Sequence, residues 1–178
     1  MSQRLGGAFL GGFGRAPAIF RHEVQRHPGI ESQLLGAIDA VAAEMPVIFP
    51  VHPHPTAFDA KWYPTPPQLR LIPPVGSQDF LCFLGKARLV LTDSGGLQEE
   101  TTARGVRCLR LPREHGAPIT IFQGTNLLVG TDPGKIVAAR DTLAGLGKVG
   151  RIPPLWDGHT ARRIVDILLK EVPRGHAS

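Results

Sequence analysis

The chain has 178 residues, of which 42% are hydrophobic and 20% charged, so length and composition indicate one well-buried globular domain rather than two. No apolar run approaches the roughly 18 residues of a membrane-spanning helix, so we expect no membrane partner. The net charge is +5, and the basic residues are interspersed along the chain, without basic runs and without aromatic residues between them. This pattern fits a small anionic ligand, and we expect no nucleic-acid partner.

The sequence contains no metal-ligand spacing. Cys82 and Cys108 lie in apolar segments, so we expect two reduced, buried thiols, and the histidines are scattered. We therefore expect no metal and no cofactor. The sequence shows no basic region followed by an apolar region and a cleavage site, so a cytoplasmic location is expected.

Predicted strands and helices alternate along the chain. Residues 1–16 are rich in glycine and predicted to be disordered or poorly packed, residues 17–172 form one domain, and residues 173–178 form a tail. The predicted strands are 16–20, 47–51, 69–72, 89–91, 107–111 and 126–129. The predicted helices are 30–44, 77–86, 97–104, a single turn at 118–122, 132–144 and 158–170. This alternation indicates an α/β fold, with a parallel sheet and helices on both faces.

The strand predicted at 89–91 leads into the most informative motif. It is followed by Thr92-Asp93-Ser94, then by Gly95 and Gly96, and then by a helix with Glu99 and Glu100 in its first turns. Such a turn points backbone N–H groups and the positive end of a helix dipole at an anion, and glycines let a phosphate approach closely. The spacing alone slightly favours a plain helix start that Ser94 caps.

Several segments together resemble the non-hydrolysing UDP-N-acetylglucosamine 2-epimerase family. The run Thr92-Asp-Ser-Gly-Gly-Leu-Gln-Glu-Glu100 resembles the family signature. Further similar segments begin at Pro46, Leu71, Leu128 and Asp157, in the family's order and spacing. The resemblance extends from about residue 20 to about residue 169 and covers only the C-terminal half of the family.

The resemblance implies a fold and an activity. Family members resemble B-type glycosyltransferases, with two Rossmann-like domains across a cleft, so residues 17–172 would be the UDP-sugar-binding Rossmann-like domain. The family is an isomerase that interconverts UDP-N-acetylglucosamine and UDP-N-acetylmannosamine. The implied partners are a UDP-sugar and either an N-terminal-half partner chain or a second copy in a homodimer.

The resemblance also implies site residues. Phe80 would lie by the uracil, Glu100 would bind the ribose, and Arg21 is retained from a substrate-binding segment. The phosphate turn would consist of Ser94, Gly95 and Gly96. His52 matches a histidine near a regulatory sugar-nucleotide site. Phe80 could equally be a core residue and His52 an ordinary turn histidine.

Two departures from the family pattern affect the chemistry. Aligning on Pro28 places Phe20 where the family has a histidine, although a small shift would bring in His22 instead. Ala117 stands where the family has a substrate-binding arginine. No catalytic residue is therefore assigned. We expect a nucleotide-binding half that is inactive without an N-terminal half; the alternatives are a non-catalytic UDP-sugar-binding module and the nucleotide-binding subunit of a split B-type glycosyltransferase.

Overall fold

The computed structural model describes residues 17–21, 36–51, 66–111, 117–144 and 150–171. The predicted poorly packed segment 1–16 and the predicted tail 173–178 lie outside the described residues. Within the described ranges, no helix is long and apolar enough to cross a membrane.

Six strands form one sheet. They are β1 (Ala18–Arg21), β2 (Val47–Pro50), β3 (Leu69–Ile72), β4 (Leu89–Thr92), β5 (Cys108–Arg110) and β6 (Asn126–Leu128). Their order is β3-β2-β1-β4-β5-β6, and every neighbouring pair is parallel. This is the order of a doubly wound, Rossmann-like sheet, and the predicted fold class is confirmed.

Six helices are described; the first four lie between strands, and the last two follow β6. They are α1 (residues 36–42), α2 (Ser77–Lys86), α3 (Gly95–Arg104), α4 (Pro118–Phe122), α5 (Pro133–Ala144) and α6 (Thr160–Glu171). Helix α3 begins two residues before its predicted start. It ends where predicted, because Gly105 has the left-handed φ of 69° that stops a helix.

Each face of the sheet has its own hydrophobic core, because successive side chains of a strand point to opposite faces. In β4, Leu89 and Leu91 face one core while Val90 faces the other. Helices α1 and α5 cover the first core through side chains such as Ile38 and Ile136. Helices α2 and α3 cover the second through Phe83, Leu84 and Leu97.

One prediction about the core is wrong. Cys108 is buried in β5, but Cys82 is exposed. Cys82 lies in α2, whose buried side chains are Phe83 and Leu84. A continuous apolar run wraps around a helix, so one of its members must face outward.

The strand order creates a crevice between β1 and β4. From β1 the chain proceeds to β2 and β3 on one side, and then crosses over to β4 on the other. In such sheets ligands bind outside the carboxyl ends of the strands where the order reverses. Arg21 ends β1 and pairs in register with Thr92, the last residue of β4, so the turn after β4 lies at this crevice.

Candidate functional site

The turn after β4 is held by a side chain of the strand itself. Thr92 is fully buried, and its Oγ1 accepts a hydrogen bond from the backbone N–H of Ser94 at 3.1 Å. Ser94 is the N-cap of α3 with extended backbone angles, but its side chain makes no capping hydrogen bond. The plain interpretation, in which the Ser94 hydroxyl caps the helix, is therefore not what the structure has, and this hydroxyl is not used by the helix.

The two glycines of the turn are not required by the fold. Gly95 and Gly96 are the first residues of α3, and both are exposed. Neither has a positive φ, and a Cβ built on either would meet nothing within 4 Å. Glycine lowers helix stability relative to alanine, by about 0.5–1 kcal/mol at interior positions. The absence of side chains leaves open space in front of the first N–H groups of the helix, which have no intrahelical acceptor.

Phe80 and Glu100 line the same cavity. It has a volume of about 160 Å³, and its lining residues in the described chain are Pro50, Pro74, Val75, Ser77, Phe80, Leu81 and Glu100. Pro50 ends β2, so the cavity lies at the carboxyl edge of the sheet. Pockets that enclose a drug-sized ligand measure roughly 300–1,000 Å³, so this one can hold only part of a sugar nucleotide.

The turn and the cavity are joined by one face of α3. Ser94, Gly95 and Gly96 do not line the cavity, which Glu100 reaches from the same helix. Gly96 and Glu100 are four residues apart, which places them on one face with a rise of about 6 Å between them. The structure thus brings Phe80 and Glu100 together and puts the glycine turn one helical turn away.

The structure describes only some of the other predicted site residues. Arg21 is at the carboxyl end of β1, and its backbone is paired with β4 beside the turn. His52 and the alternative His22 lie outside the described residues. Ala117 is the N-cap of α4, where its carbonyl accepts hydrogen bonds from the N–H and the hydroxyl of Thr120. Ala117 therefore supplies a helix start and no charge.

Two buried polar residues near α3 are not predicted from the sequence. Asn126 of β6 is fully buried and hydrogen-bonded to α3 through both side-chain groups. Arg110 of β5 is 2% exposed, and burial lowers the pKa of its guanidinium below the usual value. Arg110 also pairs in register with Thr92. Polar residues within apolar strands are the only sequence signal that could have found them.

The described residues hold no group of three or more His, Cys, Asp or Glu side chains placed to bind a metal ion. The groups that the structure places at this edge include backbone N–H groups, hydroxyls, an aromatic ring and the carboxylate of Glu100. Such a set suits a ligand with a diphosphate, a sugar hydroxyl and a planar base.

The family model for UDP-N-acetylglucosamine 2-epimerase matches residues 18–169. The chain belongs to this family. The UDP-N-acetylglucosamine 2-epimerase of Methanococcus maripaludis is 31% identical over 150 residues, covering 80% of this chain and 40% of that protein. The chain therefore spans less than half the length of this curated relative.

Solved structures of the family share the fold. The UDP-GlcNAc 2-epimerase of Neisseria meningitidis, solved bound to UDP-GlcNAc, superimposes with a TM-score of 0.81 at 22% identity, covering 94% of this chain and 49% of that one. The glycosyltransferase of kitacinnamycin gives a TM-score of 0.56 at 18% identity, covering 76% and 36%. The predicted likeness to a glycosyltransferase fold is thereby confirmed.

Proposed function

We propose that this chain is the nucleotide-binding half of a UDP-N-acetylglucosamine 2-epimerase and binds the UDP part of the substrate. The observation that carries the proposal is the pair Gly95 and Gly96, which the fold does not require, on the same helix as Glu100 in the cavity that Phe80 lines. The diphosphate lies against the first turn of α3, the ribose near Glu100 and the base against Phe80. We assign Arg21, whose backbone ends β1 beside the turn, to substrate binding.

UDP binding by this half alone is weak in this proposal. Ala117 supplies no guanidinium, and the loss of a charge-assisted hydrogen bond is worth about 1.5–3 kcal/mol, roughly ten- to a hundredfold in affinity. Titration calorimetry with UDP tests this. We expect saturable binding weaker than about 1 μM, weakened further in Ser94→Ala. No saturable binding would refute the proposal, and binding tighter than 1 μM would refute the role given to position 117.

The chain alone does not epimerise its ligand in this proposal. Epimerisation at C2 of the sugar requires a base within hydrogen-bond reach of the proton that leaves, and such help is typically worth about 10²–10⁴-fold. Among the described residues, Glu100 is the one carboxylate that lines the cavity, and it is assigned to the ribose. Half of a cleft also leaves the sugar in water, without the positioning that closure supplies.

Incubation with UDP-N-acetylglucosamine in deuterated water, followed by NMR, tests the lack of turnover. We expect no deuterium at C2 from the chain alone and incorporation when an N-terminal half of the family is added. Deuterium incorporation by the chain alone would overturn the proposal. Binding without incorporation in either case would favour the alternative of a non-catalytic UDP-sugar-binding module. Transfer of the sugar to an acceptor in the presence of a partner would favour a split glycosyltransferase.

A partner is supported by the surface of α6. None of its described side chains is buried, and Ile164, Val165, Ile167, Leu168 and Leu169 are each more than half exposed. Apolar patches of this kind mark interaction surfaces. Because this chain spans 40–49% of two relatives, we assign the patch to contact with an N-terminal-half partner. Sedimentation of mixtures tests the assignment, and a homodimer in the absence of any partner would replace it with a second copy.

A further inference from the structure

Helix α3 is tied to strand β6 by one buried side chain. Asn126 Nδ2 donates a hydrogen bond to the carbonyl of Gln98 at 3.1 Å. Asn126 Oδ1 lies within hydrogen-bond distance of the hydroxyls of Thr101, at 3.2 Å, and of Thr102, at 3.4 Å. The donor and the acceptor of a single amide therefore both engage the same helix, within two turns of its glycine start.

The same helix meets β6 at a glycine just before the strand. A Cβ on Gly124 would lie 2.5 Å from Thr102 Oγ1 and 2.6 Å from Thr102 Cγ2, so no other residue allows this approach. Asn126 and Gly124 thus contact α3 from β6 and from the segment just before it, at adjacent points. Thr102 is therefore held both by Asn126 and by close packing against Gly124, so α3 cannot slide along its axis or rotate without breaking these contacts.

We propose that Asn126 is a positioning residue for the anion site. It fixes the position of α3 along its axis and its rotation about that axis, and thereby the positions of the N–H groups of Gly95 and Gly96. The proposal rests on the proposed function, because it assigns the site to a diphosphate. Both polar groups of the buried Asn126 amide have partners on α3, and buried hydrogen bonds of this kind favour one arrangement of the elements they join. For a ligand held by backbone N–H groups, that arrangement determines the affinity.

The apolar packing of α3 favours this role for Asn126 over a purely stabilising one. The apolar core against α3 already includes Leu97, Val90 and Ile19, all nearly fully buried. The hydrophobic driving force is non-directional, so the area buried on the sheet does not by itself fix the rotation of the helix. Hydrogen bonds to named carbonyl and hydroxyl groups supply the direction that packing lacks.

Replacement of the amide by an apolar group of similar shape tests the inference. Asn126→Leu removes every hydrogen bond that the side chain at position 126 makes to α3, and we expect UDP affinity to fall by about tenfold in calorimetry. Thr102→Val removes one hydroxyl and should give a smaller loss, of about two- to threefold. Thr102→Ser restores that hydroxyl and should recover most of the affinity. If Asn126→Leu does not fold, the two Thr102 variants still decide the question.

A matched control separates positioning from stability. Val41→Ala removes a fully buried apolar group from the opposite face of the sheet, so it should destabilise the fold without changing UDP affinity. Asn126 is also the only asparagine in the chain, so selective ¹⁵N labelling of the side-chain amide gives the two N–H signals of a single NH₂ group. We expect these signals to exchange slowly with solvent and to shift when UDP binds.

The outcomes discriminate between the two proposals. If Asn126→Leu and Val41→Ala lose affinity equally, or if Asn126→Leu keeps wild-type affinity, the positioning role is refuted. If the wild-type chain binds no UDP, the proposed function fails, and the ligand part of this inference fails with it. The anchoring of α3 is then judged by hydrogen exchange: Asn126→Leu should speed exchange of the α3 amides beyond Val41→Ala, and equal rates would refute it.

Discussion

The buried hydroxyl of Thr92 accepts a hydrogen bond from the backbone N–H of Ser94 at 3.1 Å, so the end of β4 shapes the turn that follows it. Thr92→Val keeps the shape of the side chain and removes the acceptor. We expect a loss of about 0.5–1.5 kcal/mol in the free energy of unfolding and a several-fold weaker UDP affinity. Denaturant unfolding and calorimetry measure the two effects. Thr92→Ser keeps the acceptor and should retain affinity; equal losses in both variants would contradict this explanation.

Gly95 and Gly96 give the next prediction. A Cβ at either position meets nothing within 4 Å, so Gly95→Ala and Gly96→Ala should raise the stability of the free chain, each by up to about 1 kcal/mol. The same methyl groups should weaken UDP binding, because they occupy the space in front of the helix. Unfolding in the absence of UDP measures the gain in stability, and the further stabilisation on adding UDP measures the loss of affinity.

Gly85→Ala in α2 is the matched control for the glycine turn. A Cβ there would lie 3.7 Å from a guanidinium nitrogen of Arg104, which is ordinary contact distance. It should therefore stabilise the chain without changing UDP affinity. If the alanine variants at 95 and 96 bind UDP as well as Gly85→Ala does, the glycines have no role in binding.

Much of the fold could be predicted from the sequence, because it is encoded locally. The bounds predicted for β3 and α2 are those observed, since apolar runs and helical periodicity there agree with the tertiary structure. Helix α3 begins two residues before the start that the sequence predicts, because glycine has a low helix propensity that the tertiary structure overrides at Gly95 and Gly96. Local propensity thus predicts the turn that leads into the candidate site but not the first two residues of α3.

The parts that could not be predicted depend on contacts between distant residues. Asn126 binds a helix 24 to 28 residues earlier in the chain, which no local pattern reports. The unburied α6 was predicted as a helix, but an amphipathic pattern predicts a buried face and does not say what buries it. Half of a two-domain fold is expected to leave an exposed apolar rim around 52–66 and 112–118, and most of these residues lie outside the described ones.

Gly124 gives a prediction about stability. A Cβ there would lie 2.5 Å from Thr102 Oγ1 and 2.6 Å from the carbonyl oxygen of Thr120, and the backbone oxygen cannot rotate away. Gly124→Ala should therefore lower the free energy of unfolding by about 1–3 kcal/mol. Gly85 is a suitable control, because a Cβ there would meet only Arg104 at the ordinary contact distance of 3.7 Å. Denaturant unfolding of Gly85→Ala should show no loss of stability, and equal losses at the two positions would contradict the packing argument.

The two thiols should differ in reactivity. Burial raises the pKa of the Cys108 thiol to about 12 from 9.0, against opposing contributions from Thr101 and Arg110. Cys82 is exposed, so a thiol reagent should modify one of the two cysteines in the folded chain and both after unfolding. Rapid modification of both in the folded chain would contradict the burial of Cys108.

The same shift predicts a loss of stability in alkali. Because the folded pKa of Cys108 is above the unfolded one, its contribution is fully present below pH 9.0 and is lost as pH rises toward about 12. Cys108→Ala removes the titrating group, so the variant should be less stable at neutral pH but lose less further stability above pH 9 than the wild-type chain. Unfolding measured at several pH values tests this, and parallel curves for the two chains would refute it.

The apolar face of α6 gives the last prediction. Ile164 and Leu168 are 51% and 55% exposed and lie on one side of the helix, where the folded chain gives them little burial. The double change to Gln should therefore alter the free energy of unfolding of the isolated chain by no more than about 0.5 kcal/mol. It should abolish association with an N-terminal-half partner, because the patch is the contact surface in our proposal.

Phe122→Gln is the control, since Phe122 is 78% exposed on α4. Analytical ultracentrifugation should show that only the double variant loses the complex. If Phe122→Gln breaks it as well, exposed apolar side chains act non-specifically; if neither change does, the partner contacts another face.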